Sequence, residues 1–332
     1  MKRPIRSFLA ISLAIVTTIA AVMIGAPRDS LAGSLSNTVI GMFPKDVGEF
    51  AYADLKTARG YSWFNQLREQ LLPGRFKQFE QFLRSAGIDP NSQVDELAWA
   101  GITMPKSNGE EIVGIALGSF DPSTAQARFE QQKLPTIDVH GYHLYAFGSG
   151  VAANDIFFLF IDSNTAAFGH RSALEKLIDV RTGAADNLLS NDKLYPLIND
   201  TNGHGLIWAV LDQSYTHLAM QQLVPQANQF PQAATIINRL HAMTINVDAD
   251  NGVDAHFQAV CDSVDDANLL SAALQAGIMY RRYQETQSNP ALANLLEQAR
   301  ISPSGDRLKV DAPVSQDKLL SLIRTHAFTS PM

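Results

Sequence analysis

The chain has 332 residues, 46% hydrophobic and 18% charged, with a net charge of −7 and a single cysteine, Cys261. An acidic surface repels phosphate backbones, which disfavours nucleic-acid binding. One thiol excludes an internal disulfide, so apolar burial must stabilise the fold.

At the N-terminus Lys2, Arg3 and Arg6 precede an uncharged run from Phe8 to Ala26. A basic start before an apolar run is an export signal whose positive end stays in the cytoplasm. The run lies between the length of a signal core and that of a membrane span. Ser30-Leu31-Ala32 would allow cleavage before Gly33. Two readings stand: residues 1–32 are a cleaved signal peptide, or a retained anchor crossing the inner membrane with residues 8–26. Either places the rest outside the cytoplasm, in a bacterial periplasm or cell envelope, where a fold without disulfides fits. Without residues 1–32, which carry four of the 26 basic and one of the 33 acidic residues, the net charge is −10. The remaining 300 residues suffice for two ordinary domains.

Residues 33–48 read as a tether. A first α+β domain is expected over 49–185 and a second over 195–328. Phe50–Leu55 is a strand, and Trp63, Phe64, Leu67 and Leu71 recur at helical spacing until Pro73-Gly74. Phe76, Phe79, Phe82 and Leu83 form the stripe of a second helix, closed by Gly87 in a left-handed cap with Ile88 trailing and Pro90 beyond. Leu97–Met104 and Glu111–Phe120 form a hairpin, and Asp121 or Ser123 caps a helix through Phe129. Thr136–Phe147 turns tightly at His140-Gly141. Ile156–Phe168 is one β segment, and Ser172–Val180 a closing helix.

A similar order follows. Leu206–Asp212 is a strand, with helical segments to about Leu240. His241–Val247 and Val253–Cys261 form a hairpin, and a long helix runs from Val264 to Thr286. Another helix starts at Asn289-Pro290, Ile301–Val310 turns at Ser304-Gly305, and Gln316–Thr325 is a last helix. The parallel order predicts an internal duplication of two similar domains, each a mainly antiparallel sheet of hairpins covered by helices. Ala53-Asp54 matches Leu211-Asp212, Leu97–Met104 matches His241–Asp248, and Asp121 matches Asp262. Ile156–Phe168 has no counterpart. The period-two pattern also fixes a register that pairs Met243, Ile245 and Val247 with Ala259, Phe257 and Ala255 around Asp250-Asn251-Gly252. It predicts that Ile245 and Phe257 are buried and that Thr244 and His256 are exposed.

Candidate chemistry is sparse. Asp248, Asp250 and Asp254 surround Gly252, but an EF-hand counted from Asp248 would place Val253 where it needs glycine and Ala259 where it needs glutamate. His140 and His143 flank a turn without a third ligand in sequence, and zinc needs three or four. His241 and His256 read as surface residues. Cys261 lies on an apolar face beside Asp262, Asp265 and Asp266, the opposite of an activating setting. Glu110-Glu111 and Asp265-Asp266 are neighbours that point in different directions. No Gly-x-Ser-x-Gly elbow, zinc-binding His-Glu-x-x-His or phosphate loop is present. No catalytic, cofactor-binding or metal residue is therefore assigned. The aromatic stripe Phe76, Phe79 and Phe82, with Trp63 and Phe64, is core or the lining of an apolar pocket.

The order of elements, with Phe43-Pro44 before the first strand and Gly87-Ile88-Asp89-Pro90 before the first hairpin, resembles a family of uncharacterised exported bacterial proteins. That resemblance implies duplicated α+β domains behind a signal or anchor and carries no catalytic residues. The expected function is an envelope protein with a binding or structural role, its partner an envelope protein. The alternatives are a carrier of a lipid or other apolar ligand, and a hydrolase whose site assembles only in three dimensions. Alkaline phosphatase fused after Met332 should be active if the chain is exported; a stable but inactive fusion would refute export.

Overall fold

The computed structural model describes residues 33–72, 74–104, 109–223, 237–249, 252–288 and 290–317. The expected signal or anchor, the Pro105–Asn108 turn, the Asp250-Asn251 turn and most of the last helix lie outside these residues. The architecture is α+β, with antiparallel strands and packed helices. Among the described residues no helix is long and apolar enough to cross a membrane.

The chain divides into two compact units. The first contains Leu35–Gly60 and Leu72–Pro196. Its strands are β1 (Glu49–Asp54), β2 (Val94–Met104), β3 (Gly109–Gly118), β4 (Thr136–Val139), β5 (Tyr142–Phe147), β6 (Ile156–Phe160) and β7 (Thr165–Gly169). Their spatial order is β1-β2-β3-β7-β6-β5-β4. The segment Ile156–Phe168 is thus two strands. Asp162-Ser163-Asn164 divide it, because the Asp162 carboxylate accepts from the Asn164 N–H at 2.7 Å and turns the chain. Phe158 then faces Phe168 across the new hairpin.

The tether reading is corrected. Ser36 caps a short helix, α1 (Asn37–Ile40), and Leu35, Ile40 and Phe43 are fully buried. The backbone around Phe43 bonds to the segment between the two expected domains: Leu188 N–H donates to the Phe43 carbonyl at 2.9 Å, and Lys45 N–H to the Asp186 carbonyl at 3.1 Å. Leu35, Val39, Ile40 and Phe43 recur at three- and four-residue intervals, the spacing of a buried helical face.

Helix α2 (Gly74–Ser85) ends as its sequence requires. Gly87 has φ of 83°, Ile88 N–H donates to the Leu83 carbonyl at 2.9 Å, and Gly87 N–H to the Arg84 carbonyl at 3.0 Å. This is a Schellman closure with its apolar trailing residue. The helix lays Phe76, Phe79 and Phe82 against α3 (Pro122–Gln131) and the sheet, where Phe129, Tyr145, Ile156 and Phe158 complete one aromatic core. Phe129 meets Phe158 edge-on at 5.1 Å and Tyr145 at 5.0 Å. Asp121 caps α3 through the Thr124 N–H. Gly114 is fixed by the same packing: it lies opposite Phe168, whose ring would sit 2.3 Å from any Cβ there.

The second unit contains Tyr61–Leu71 and the chain from Leu197. The helix carrying Trp63 and Phe64 therefore belongs with the second half, not with the Phe76 stripe. Trp63 stacks on Tyr61 at 5.4 Å, and the Tyr61 hydroxyl donates to the Ala249 carbonyl. Strands β8 (Ile207–Leu211), β9 (Leu240–Asp248), β10 (Gly252–Cys261), β11 (Arg300–Ser304) and β12 (Arg307–Ser315) lie in the order β8-β9-β10-β12-β11. The β9–β10 register is the one read from sequence, with Ile245 opposite Phe257 and Val247 opposite Ala255. Ile245 is buried, but Thr244 on the other face is only 6% exposed, and Phe257 and His256 are both half-buried. The expected contrast between faces fails because β9 is covered on both sides. Above Ala259, Cys261 and Leu308 lies the start of α4 (Val264–Ser288), through Ala267 and Leu270. Its N-terminal cap is Ser263, whose hydroxyl accepts from the Asp266 N–H, and not Asp262 as the match with Asp121 implied. Helix α5 (Pro290–Gln298) follows.

Truncating a buried phenylalanine typically costs about 3–5 kcal/mol through lost transfer energy and the cavity left behind. Phe129→Ala should lower stability by that amount in denaturant titration, whereas half-exposed His256→Ala should change it by roughly 0.5 kcal/mol or less. Equal effects would show that the aromatic core does not hold the first unit together.

Candidate functional site

A group of ionisable side chains in the first unit lies where β7 joins β3. Gly169 ends β7 with φ of 153°, and a Cβ there would sit 2.2 Å from the Ile112 carbonyl oxygen, so only glycine allows this approach. The next residue, His170, is buried and precedes the helix Arg171–Arg181. Its backbone N–H donates to the Ile112 carbonyl at 2.9 Å, and its Nδ1 accepts from the Ile112 N–H at 3.0 Å. One histidine thus bonds both backbone groups of one β3 residue, and the accepting Nδ1 sets the tautomer with the proton on Nε2.

The charges of Glu111 and Arg75 act on it, and each has a polar neighbour of its own. Glu111, next to Ile112 on β3, accepts from the Ser172 hydroxyl in the first turn of the helix after His170. Arg75, at the start of α2, lies 3.7 Å from the buried carboxylate of Asp155. Ser149 Oγ and the Ala152 N–H also donate to that carboxylate, at 2.9 and 3.0 Å. Gly148 has φ of 140° and no room for a Cβ beside the same carboxylate. Burial pushes the Asp155 pKa up, but the hydrogen bonds from Ser149, Ala152 and Gly150 outweigh it and hold the group below the usual carboxylate range. Burial likewise holds the His170 imidazole below the ordinary histidine value; the Glu111 charge opposes this and the Arg75 charge adds to it. The ring is therefore neutral at physiological pH. Phe76, Ile112, Ile156 and Phe168 enclose, with Gly169 and His170, a cavity of about 10 Å³, space for no more than one water.

This arrangement differs from a nucleophilic relay. In such a relay a histidine nitrogen takes the proton of the serine hydroxyl. Here Ser172 donates to a carboxylate, and His170 Nδ1 is occupied by a backbone amide. Sequence reasoning passed over His170, Asp155 and Arg75. A Gly-His pair before a helix, and a Gly-Ser-Gly run before a lone aspartate, were the available signals.

The residues singled out from sequence fall elsewhere and do not converge. His140 has φ of 49° in its turn and pairs with Asp179 at 3.4 Å, whereas His143 pairs with Asp138, its cross-strand neighbour. His241 pairs with Asp262, and His256 with its cross-strand neighbour Asp311 at 2.8 Å. Asp254 faces Asp248 across β9 and β10, and Asp250 lies outside the described residues. Glu110 and Glu111 are adjacent on β3, and Asp265 and Asp266 open α4. Asp266 is held below the usual range by the Ser263 hydroxyl and Arg239. Cys261 is buried, which together with the charges of Asp266, Asp306 and Asp262 pushes its thiol up to about 11. Among the described residues no group of three or more His, Cys, Asp or Glu side chains could hold a metal ion.

No protein-family profile and no curated protein matches the chain. Solved structures similar to it include crystal forms I and IV of TP0453. They are 13% and 14% identical to it, each with a TM-score of 0.48. The first match covers 91% of this chain and 100% of the other, the second 88% and 96%.

A histidine kept neutral in the fold binds fewer protons than the unfolded chain below about pH 6.5, so its contribution to stability is lost as pH falls through that value. His170→Asn keeps a side-chain acceptor at the helix start but does not titrate. The stability gap between wild type and this variant, read from unfolding midpoints, should be larger at pH 7.5 than at pH 5. A gap independent of pH would show that His170 is not held neutral.

Proposed function

We propose that this protein is an exported or membrane-tethered protein of the bacterial envelope with a binding or structural role rather than a catalytic one. The observation that carries the reading is the cationic, then apolar, N-terminal sequence from Lys2 to Ala26. The occupation of the His170 cluster supports it. The imidazole joins a strand to a helix, and Asp155 organises the loop before β6. The carrier alternative is less well supported, because Phe79, Phe82, Phe129 and Phe158 pack on one another, and a ligand would have to part them.

We also infer that the halves are related by duplication, as in the exported family that the sequence resembles. The order β1-β2-β3-β5-β4 corresponds to β8-β9-β10-β12-β11 once the β6–β7 hairpin is treated as an insertion. Inserting two strands preserves the antiparallel alternation, so β5 and β12 keep the same sense. Each first strand also leads to an aspartate that bonds the N–H three residues on, Asp54 to Thr57 and Asp212 to Tyr215.

Native mass spectrometry of the full chain purified from its own envelope tests the functional reading. A co-purifying protein in fixed stoichiometry is expected. A stoichiometric apolar small molecule would overturn the reading in favour of a carrier, and recovery from the cytoplasm alone would overturn it altogether.

A further inference from the structure

The packed chain begins immediately behind the expected cleavage sequence. Only Gly33 and Ser34 separate Ala32 from Leu35. Leu35 is 2% exposed, and Ile40 and Phe43 are fully buried. The Ser36 hydroxyl accepts the Val39 N–H, and the Gly41 N–H closes the same short helix on the Asn37 carbonyl at 2.8 Å. The Asn191 side chain donates to the Lys45 carbonyl at 2.8 Å, beside the backbone bonds that join Phe43 and Lys45 to Leu188 and Asp186. Chain starts are usually loose unless something ties them down. Here the residues just after the cleavage sequence are core, held by a segment from the other end of the first unit's chain.

We propose that this packing shields the Ala32–Gly33 peptide bond from a signal peptidase, so that the folded protein keeps residues 8–26 as a membrane anchor. The proposal rests on the export reading above and decides between its two forms. Cleavage would add water across the bond, leaving a carboxylate on Ala32 and an amino group on Gly33, with the peptidase of the export machinery as catalyst. A cleft that takes a peptide as extended chain engages its backbone groups over several residues. Three residues of extended chain reach about 10 Å, so such a cleft meets Leu35 and the Ser36 cap directly after the bond. On the other side only Pro27–Ala32 separates the bond from the apolar run. The bond thus lies between a membrane span and a folded unit. More chain becomes available only if Leu35, Val39, Ile40 and Phe43 leave the core together, and cleavage of a folded protein is limited by how often it opens in this way. The run from Phe8 to Ala26 is also longer than a cleaved signal's core of about 7–15 residues, which agrees with retention.

The mass of the full chain in the membrane and soluble fractions of its own envelope tests this. The wild-type chain should retain residues 1–32 and fractionate with the membrane. A variant with a flexible Gly/Ser spacer of about eight residues inserted between Ser34 and Leu35 leaves Ser30–Ser34 unchanged but frees the chain behind the bond. It should be cleaved before Gly33 and released at least about tenfold more than wild type. Adding Ala32→Phe to the spacer variant should restore retention, because the cleavage sequence needs a small residue there. Leu35→Ser, which loosens the packing without adding chain, should raise release in the same direction. Complete cleavage of the wild-type chain before Gly33 would overturn the proposal while leaving export intact. Retention of the spacer variant to the same extent as wild type would do the same. Every variant found whole in the cytoplasm would overturn the export reading, and this proposal with it.

Discussion

The first unit depends on how β7 is fastened to β3. That seam joins β1-β2-β3 to the hairpins β7-β6 and β5-β4, and the Phe129 core lies across it. The regular ladder ends at Val113 opposite Gly169, and His170 continues it with two further bonds to Ile112, one from backbone and one from side chain. Each such bond contributes about 1 kcal/mol net, and a buried amide left without a partner costs roughly 1–3 kcal/mol. The helix that follows then folds back with Ala173, Leu174, Leu177 and Ile178 fully buried. A glycine that permits close approach and a histidine that accepts an amide thus join a sheet edge to a helix start.

The same economy governs the polar groups elsewhere. Asp155 is buried, yet charged, because a turn wraps its carboxylate with donors. Asp54, Asp89 and Asp121 each accept the N–H of a helix start. His140, His143, His241 and His256 each face an aspartate at the surface. Such exposed pairs contribute little to stability, typically below about 1 kcal/mol. They do occupy the histidines that a metal would need. Among the described residues, these polar groups are directed at the chain's own backbone and side chains.

Apolar surface tells the complementary story. Strands β1 and β8 are buried along their whole length. Helix α4 buries Ala267 and Leu270 and exposes Leu269, Met279, Tyr280 and Tyr283. The single chain thus covers both faces of these strands but only one side of α4.

Local chemistry made several elements legible. The β9–β10 register followed from period-two alternation, and the Gly87 closure from glycine, an apolar trailing residue and proline in order. The His140-Gly141 turn followed from the tolerance of glycine for positive φ. In each case the determinants lie within a few residues of one another. Tertiary structure alone decided the rest. It assigned Trp63 and Phe64 to the second unit, turned the tether at Leu35–Phe43 into core, and buried Thr244 as deeply as its apolar neighbours. It also placed His170 against Ile112, 58 positions away in the chain. An apolar period states that a face will be covered, but what covers it depends on segments far away. A histidine likewise carries no mark in sequence of the backbone amide it will meet.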